Sequence, residues 1–360
     1  MIKKPGNIFI LGMGVSGISL ALYLNKRRIK NFCWDDDPEK RNNAKLKKLN
    51  ISKISLKVLR NCDLLVLSPG INHLDKKPHQ AILLAKKLNI KITTDIELLM
   101  LFASKNFLIG VTGTNGKSTT THFINQTLSY NNLFNSKACG NIGVPFTDLK
   151  INENDVLVVE ASSYQLSKIN DLCFNIAILL NLSVDHIEWH GSMKKYSNSK
   201  LRIFENQSNN CFAIISIDDI NCKKIASDFS KNFNSKLIRI SCRKNKYADI
   251  TLNKNNKDIR ITNKLSKEVL TIPYSSFKFT ITQHNFQNLL AAYTAGYLLE
   301  QKKVQFLKSL SELNNLKHRI EFIAKYQNIS FYNDSKSTNV SSATTALKSF
   351  KNIFWILGGR

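Results

Sequence analysis

Acidic side chains are in short supply. The 360 residues hold 26 Asp and Glu against 52 Lys and Arg, a formal charge of +26. An excess of that size suggests nucleic acid, an anionic surface or phosphorylated ligands. The basic residues, however, fall in scattered pairs: Arg27-Arg28, Lys47-Lys48, Lys76-Lys77, Lys86-Lys87, Lys194-Lys195 and Lys223-Lys224. They form no stripe and accompany no nucleic-acid-binding motif, so they read as a solvated basic surface without a nucleic-acid partner. Paired cysteines are lacking as well. Cys33, Cys62, Cys139, Cys173, Cys211, Cys222 and Cys242 are odd in number and far apart, with no CxxC. That excludes a disulfide framework and a cysteine-type zinc site, and it points to a reducing, cytoplasmic compartment. Nor is there a long unbroken apolar run. Residues 8–23 are mostly apolar with lysines and arginines on both sides, as in a signal peptide or anchor. Gly12, Gly14, Ser16, Gly17 and Ser19 interrupt them and no small-residue cleavage site follows. A strand, a glycine turn and a buried helix explain the segment better, and no membrane insertion is expected.

What is present is a globular composition. A hydrophobic share of 43% supplies a full core, which excludes a disordered tail, a collagen-like repeat and a coiled-coil rod, and the length suits two or three domains. Apolar runs at residues 7–11, 31–34 and 63–67, with a helical stretch at 15–25, predict βαβ units and a parallel sheet. A second α/β unit is predicted from residue 94, with strands at 107–111, 155–160, 175–181 and 211–217 and a helix at 118–129. Residues 245–274 are short, polar and alternating, which predicts antiparallel strands; helices are expected at 284–300 and 303–313. A third unit begins near residue 316, with strands expected at 329–332 and 353–357. An apolar strand running into Gly358-Gly359 usually leads to a helix, so the chain reads as a fragment of a longer one.

Two glycine loops carry the chemistry. Residues 12–17, GMGVSG, match GxGxxG between a predicted strand and a predicted helix, and Asp35, Asp36 and Asp37 stand about twenty residues on. Such glycines let a pyrophosphate approach a helix N-terminus while an acid meets a ribose. The pattern fits a nucleotide diphosphate, NAD(P) included, and tight packing is the alternative. Residues 113–119, GTNGKST, join a strand to a helix. Backbone amides of such a loop cradle phosphates, Lys117 reaches the β/γ oxygens, and Ser118 or Thr119 offers a hydroxyl to Mg²⁺. The strict GxxxxGK[ST] spacing is not met, because Val111 stands where its first glycine belongs. Two such sites on one chain exclude a simple dehydrogenase and a simple ATPase.

GTNGKST resembles the loop of the Mur ligases and folylpolyglutamate synthases, which form amides at the expense of ATP. Further segments carry the resemblance along nearly the whole chain: EASSYQL at 160–166, NLSVDH at 181–186, SKLRIF at 199–204, HNFQN at 284–288, His318-Arg319, and NDSKSTN at 333–339. The N-terminal GMGVSG, Ser68-Pro69-Gly70-Ile71 and Gly140-Asn141-Ile142-Gly143 make it most similar to the branch that adds D-glutamate to UDP-N-acetylmuramoyl-L-alanine. The complete N-terminal fingerprint speaks against the folate branch. A sister Mur ligase, an NAD(P)-binding regulatory protein with a decayed ATPase, and a non-catalytic fragment that binds the UDP-substrate stay open.

The resemblance implies three α/β domains: a Rossmann-like UDP-substrate domain at 1–93, a P-loop ATPase domain at 94–315, and the start of a Rossmann-like amino-acid-binding domain at 316–360. It implies peptidoglycan synthesis through an acyl phosphate, with UDP-MurNAc-L-Ala and D-glutamate as partners, ATP and Mg²⁺ as cofactors, and a monomer. It assigns ATP to Gly113, Thr114, Asn115, Gly116, Lys117, Ser118, Thr119, Asn285, Asn288, Arg319 and Asp334. The UDP-substrate falls to Gly14, Val15, Ser16, Asp35, Gly70 and Asn141, and the amino-acid side to Lys336 and Thr338. Metal falls to Ser118, Glu160, His186 and Lys200, with Lys117, Lys200 and His186 catalytic and Lys200 carbamylated. Each has a plainer reading: Lys200 as a surface lysine, Glu160 as a strand end, His186 paired with Asp185, Asn285 and Asn288 as helix caps. His190 lies nearby and is marked by no motif. Three departures from the family pattern stand out: Ser216 before Ile217-Asp218-Asp219, the acids Asp36 and Asp37 near the expected uridine, and the early end at Arg360. The 360 residues are therefore expected to bind the UDP-substrate but to form little D-glutamate adduct.

Overall fold

A computed structural model describes residues 6–141, 144–278, 281, 285–337 and 340–358. The first four strands, β1 (Asn7–Leu11), β2 (Lys30–Trp34), β3 (Leu64–Leu67) and β4 (Lys91–Thr94), form a parallel sheet in the order β2-β1-β3-β4. The helix Val15–Lys26 follows β1 directly, starting at Gly14, which offers no side-chain cap. Gly17 is required on that helix: a Cβ there would stand 1.9 Å from the Gly12 carbonyl oxygen.

The next nine strands are β5 (Phe107–Thr112), β6 (Ser136–Gly140), β7 (Val156–Glu160), β8 (Ile176–Leu179), β9 (Phe212–Ser216), β10 (Lys236–Ser241), β11 (Ile250–Lys254), β12 (Asp258–Asn263) and β13 (Glu268–Pro273). They make one sheet ordered β13-β12-β11-β10-β9-β8-β5-β7-β6. The stretch expected to be antiparallel is so: β11 pairs with β12 and β12 with β13 in antiparallel, and β11 joins the rest of the sheet in parallel with β10. The sequence reading missed β6 and β10, whose polar ends (Ser136-Lys137, Lys236) hide the apolar alternation. The helices Lys117–Ser129 and Asn285–Leu298 cover one face, with Phe123, Ile124, Leu289 and Leu290 at 0% exposure. Strands fully buried on both faces explain the near-continuous apolar runs of β7 and β8. Because the order steps from β5 to β7 on one side and to β8 on the other, the loops after these strands gather at one switch point.

The last part of the chain is a hairpin, β14 (Glu321–Tyr326) with β15 (Ile329–Asn333), followed by the helix Val340–Leu347. Two expectations are corrected here. Residues 353–357 form no strand; among the described residues nothing pairs with them, and a strand without a partner leaves its amides to water. The helix expected to reach residue 313 is Lys303–Ser309. All seven cysteines are free. Among the described residues no helix is long and apolar enough to cross a membrane.

Polar contacts join the first sheet to the second. Glu97, 0% exposed, follows β4 and accepts from the backbone amides of Asn170 at 2.9 Å, Asp171 at 2.7 Å and Leu172 at 3.3 Å. Lys91 pairs with Asp171 at 2.6 Å, and Thr94 donates to the Gln165 carbonyl at 3.1 Å. Replacing Glu97 by alanine leaves three inward amides without an acceptor. Glu97→Ala is expected to cost about 2–5 kcal/mol, measured by urea denaturation; an unchanged midpoint would show that the joint does not depend on this carboxylate.

Candidate functional site

The loop after β5 turns through Gly113 and Gly116, both at positive φ. At Gly116 (φ 83°) a Cβ would meet Asn288 Oδ1 at 2.5 Å, so glycine is required on two counts. Asn288, 1% exposed, lies beneath the loop and accepts from Thr120 Oγ1 at 3.0 Å. Asn181 closes the other side: its Oδ1 accepts from the Asn115 amide at 2.8 Å and its Nδ2 donates to the Asn115 carbonyl at 3.1 Å. Gln287 extends this brace, accepting from Asn181 at 2.8 Å and donating to Ser216 at 2.7 Å. Ser216, a departure from the family pattern, is thus a partner in the frame of the loop. Thr114 is held by the Ser183 amide at 3.0 Å and the Tyr196 hydroxyl at 3.1 Å.

Two lysines enter from different helices and meet at one oxygen. Lys117 Nζ donates to the Gly113 carbonyl at 3.0 Å and to that of Thr114 at 2.8 Å. Lys200, on the helix Met193–Leu201 and 1% exposed, donates to the same Gly113 carbonyl at 2.7 Å, with its ammonium 4.8 Å from the Tyr196 ring centroid. Burial, with Lys117 beside it, pushes the Lys200 pKa well below that of an ordinary lysine; burial also lowers that of Lys117, and nearby Glu160 partly opposes it. The surface-lysine reading of Lys200 therefore fails.

Glu160 ends β7 at 2% exposure. Its Oε1 accepts from Asn141 Nδ2 at 2.9 Å, and its buried Oε2 has no hydrogen-bond partner. Asn141 thus stands against the acid at the strand end, a link that its sequence position did not signal. His186 is half-exposed at φ 51°, 3.5 Å from Asp185 and 5.0 Å from the Tyr164 ring. Burial lowers its pKa, with Lys117 and Lys200 adding to the effect. Among the described residues no three His, Cys, Asp or Glu side chains cluster as a metal site; the carboxylate oxygen without a partner is the feature that fits a hard cation.

Ser118 is half-buried one residue into the helix, and Thr119 lines a small cleft with Asn285, Arg319, Asp334 and Ser337. Asp334 accepts from the Ile320 amide at 3.0 Å, and Asn333 bonds to His318 at 2.8 Å, so the two C-terminal motifs meet. Lys336 is exposed beside them; Thr338 lies outside the described residues.

The first glycine loop forms a separate site. Gly14 and Val15 are exposed at the start of their helix, with Ser16 half-buried, and Ser68 Oγ donates to the Gly12 carbonyl at 2.8 Å beside exposed Gly70. Asp35 is already engaged: its carboxylate accepts from the Met13 amide at 2.7 Å and the Asp37 amide at 2.9 Å. It shapes the loop, which a reading based on a ribose contact alone does not capture.

Sequence reasoning passed over His190, which is 2% exposed between Ser163 and Ser199; only its burial, which is not legible in a loop, would have flagged it.

A glycine loop of the phosphate-cradling type that carries two lysines, on one chain with a second glycine loop, defines a nucleotide-dependent enzyme of the α/β class. The model of the Mur ligase middle domain matches residues 111–296, and that of the Mur ligase MurD-like N-terminal domain matches residues 6–94. The UDP-N-acetylmuramoylalanine–D-glutamate ligase of Rickettsia bellii is 34% identical over 365 residues, covering 99% of this chain and 77% of its own. The protein of the same name from Caldicellulosiruptor bescii is 31% identical over 368 residues, covering 99% and 78%. The crystal structure of a murein peptide ligase from Psychrobacter arcticus shares the fold with a TM-score of 0.61 at 19% identity, over 95% of this chain and 75% of that one. The chain belongs to the Mur ligase family.

Two histidines, His190 buried and His73 partly buried, set a pH limit on the fold. Burial, with Lys168 and Lys86 for His73 and with Lys200 and His186 for His190, pushes both pKa values from 6.5 to about 4. Between these values the unfolded chain binds protons that the folded one does not, so the stability these two groups leave intact above 6.5 is lost as pH falls from 6.5 toward 4. Urea midpoints should be lower at pH 5 than at pH 7; equal midpoints at pH 7 and 5 would contradict this.

Proposed function

We propose that this protein is the ATP-dependent ligase that adds D-glutamate to UDP-N-acetylmuramoyl-L-alanine in peptidoglycan synthesis. The observation that carries the reading is the match of 99% of the chain to ligases of that name at 34% identity, and the geometry of the loop supplies the chemistry. A carboxylate is a poor electrophile. ATP transfers its γ-phosphoryl group to a carboxylate oxygen of the substrate, giving an acyl phosphate and ADP. The amine of D-glutamate attacks the acyl carbon, the nitrogen loses its proton, and phosphate leaves as the amide forms.

In this reading the amides of residues 113–116 hold the phosphates. Lys117 exchanges its two carbonyl partners for the transferring group and neutralises its charge. Ser118 or Thr119, with Glu160, would hold Mg²⁺, and His186 and Lys200 a second ion; the metal would supply neutralisation of phosphate charge. The orphan oxygen of Glu160 supports that assignment. We assign Lys200 a carbamate: a buried lysine with a lowered pKa presents the neutral amine, which adds to the carbon of CO₂ and releases one proton, so that the uncharged amine becomes a carbamate of charge −1. Asn285, Asn288, Arg319 and Asp334 complete the nucleotide side, and Lys336 with Thr338 the amino-acid side. Residues 12–17 with Gly70 receive the UDP moiety, Asp35 acting by shaping the loop. Domains at 1–93, 94–315 and 316–360 and a cytoplasmic, monomeric enzyme complete the proposal; the free cysteines support the compartment.

Phosphate release with ATP, Mg²⁺ and UDP-MurNAc-L-Ala, with and without D-glutamate, tests the reaction. Calorimetry that finds NADH binding and no UDP-ligand binding would overturn the substrate. Lys117→Ala should abolish turnover in a folded protein; normal phosphate release would refute its role. Lys200→Ala should lose activity that excess bicarbonate does not restore and acetate restores in part, and a fully active variant would rule out the modified lysine.

A further inference from the structure

His190 ends the short helix Ile187–His190 and is almost fully buried, yet the ligase reading gives it no task. Its ring lies between two hydroxyls from different elements. Nε2 is 3.0 Å from Ser163 Oγ, in the turn after β7, and Nδ1 is 3.3 Å from Ser199 Oγ, on the helix that carries Lys200. The Tyr164 ring stacks on it at 5.8 Å and 8°, and that of Tyr196 lies 5.3 Å away.

The hydrogen positions follow from counting donors. Ser199 has one hydroxyl hydrogen and gives it to the Lys195 carbonyl at 2.9 Å. Toward His190 it can therefore only accept, so Nδ1 carries a hydrogen. A neutral imidazole carries one ring hydrogen, so with that hydrogen on Nδ1 the Nε2 atom presents a lone pair. The hydroxyl hydrogen of Ser163 must then point to Nε2. The result is a chain polarised in one direction, Ser163 to His190 to Ser199 to the Lys195 carbonyl, in which each bond strengthens the next.

We propose that His190 is a positioning residue: as the Nδ1–H tautomer it clamps the Lys200 helix to the turn beyond Glu160 and leaves Ser163 Oγ only lone pairs to offer the site. Ser163 lies three residues after Glu160, and Ser199 is next to Lys200, so the imidazole sets the distance between two groups that the reaction needs together. The kinetic part of this inference rests on the ligase reading; the tautomer does not.

The test has two arms on the full chain. Nitrogen-15 NMR of histidine-labelled protein at pH 7.5, with the His190 signals identified from a His190→Phe variant, should show the Nδ1–H tautomer. An Nε2–H tautomer or an imidazolium overturns the proposal. In steady-state assays His190→Phe and Ser163→Ala should each lower kcat about 10–100-fold, with KM for the UDP-substrate unmoved. His190→Gln, which can still accept the Ser163 hydrogen, should recover most of the rate. Wild-type kcat in folded His190→Phe or in Ser163→Ala also overturns it. Should His190→Phe fail to fold, Ser163→Ala and the tautomer still decide. A wild-type chain that neither binds UDP-MurNAc-L-Ala nor releases phosphate from ATP would defeat the ligase reading while the NMR arm still judged the clamp.

Discussion

One carbonyl oxygen organises this molecule. Gly113 O accepts from Lys117 at 3.0 Å and from Lys200 at 2.7 Å, with Lys200 buried and Lys117 partly so. Burial lowers the pKa of both lysines, and at Lys200 the neighbouring Lys117 adds to the effect. In the proposed ligase the transferring phosphoryl group gives Lys117 a charged partner in place of the carbonyls of this loop. Everything around it serves to hold that geometry: Asn288 beneath Gly116, Asn181 and Gln287 along one side, and Tyr196 joining Thr114 to the helix of Lys200.

The site also depends on how separate pieces are joined. The first sheet meets the second through Glu97, Lys91, Thr94 and Gln165, a polar joint whose directional bonds define one mutual orientation. Apolar packing across the same junction, with Leu24, Ile96, Phe146 and Leu172 in one cluster, is less selective about angle. The hairpin of β14 and β15 is different in kind. Phe322, Ile323, Tyr326 and Phe331 are about half exposed or more, so its own core is thin. Through Arg319 and Asp334 it helps to line the cleft shared with Thr119 and Asn285.

Legibility followed the range of the interaction. GMGVSG and GTNGKST were readable because a glycine turn between an apolar strand and a helix is a local requirement, and the structure has both turns where the spacing predicted them. The strands at 353–357 and 136–140 were misread in opposite directions. Apolar residues at 353–357 pair with no strand among the described residues, whereas the polar-looking β6 is held in place by β7. Lys200 could be recognised as more than a surface lysine only through the resemblance of SKLRIF, since nothing in its spacing shows that it is buried.

The sequence by itself determined the α/β class, the two glycine loops and the basic surface, because these follow from short-range backbone stereochemistry and composition. Tertiary structure alone decided that Asp35 is committed to the Met13 amide, that Asn141 stands against Glu160, and that His190 bridges Ser163 and Ser199. These partners lie between 9 and 27 residues apart along the chain; only the order of strands in the sheets brings them within hydrogen-bonding distance, and no local pattern encodes that order.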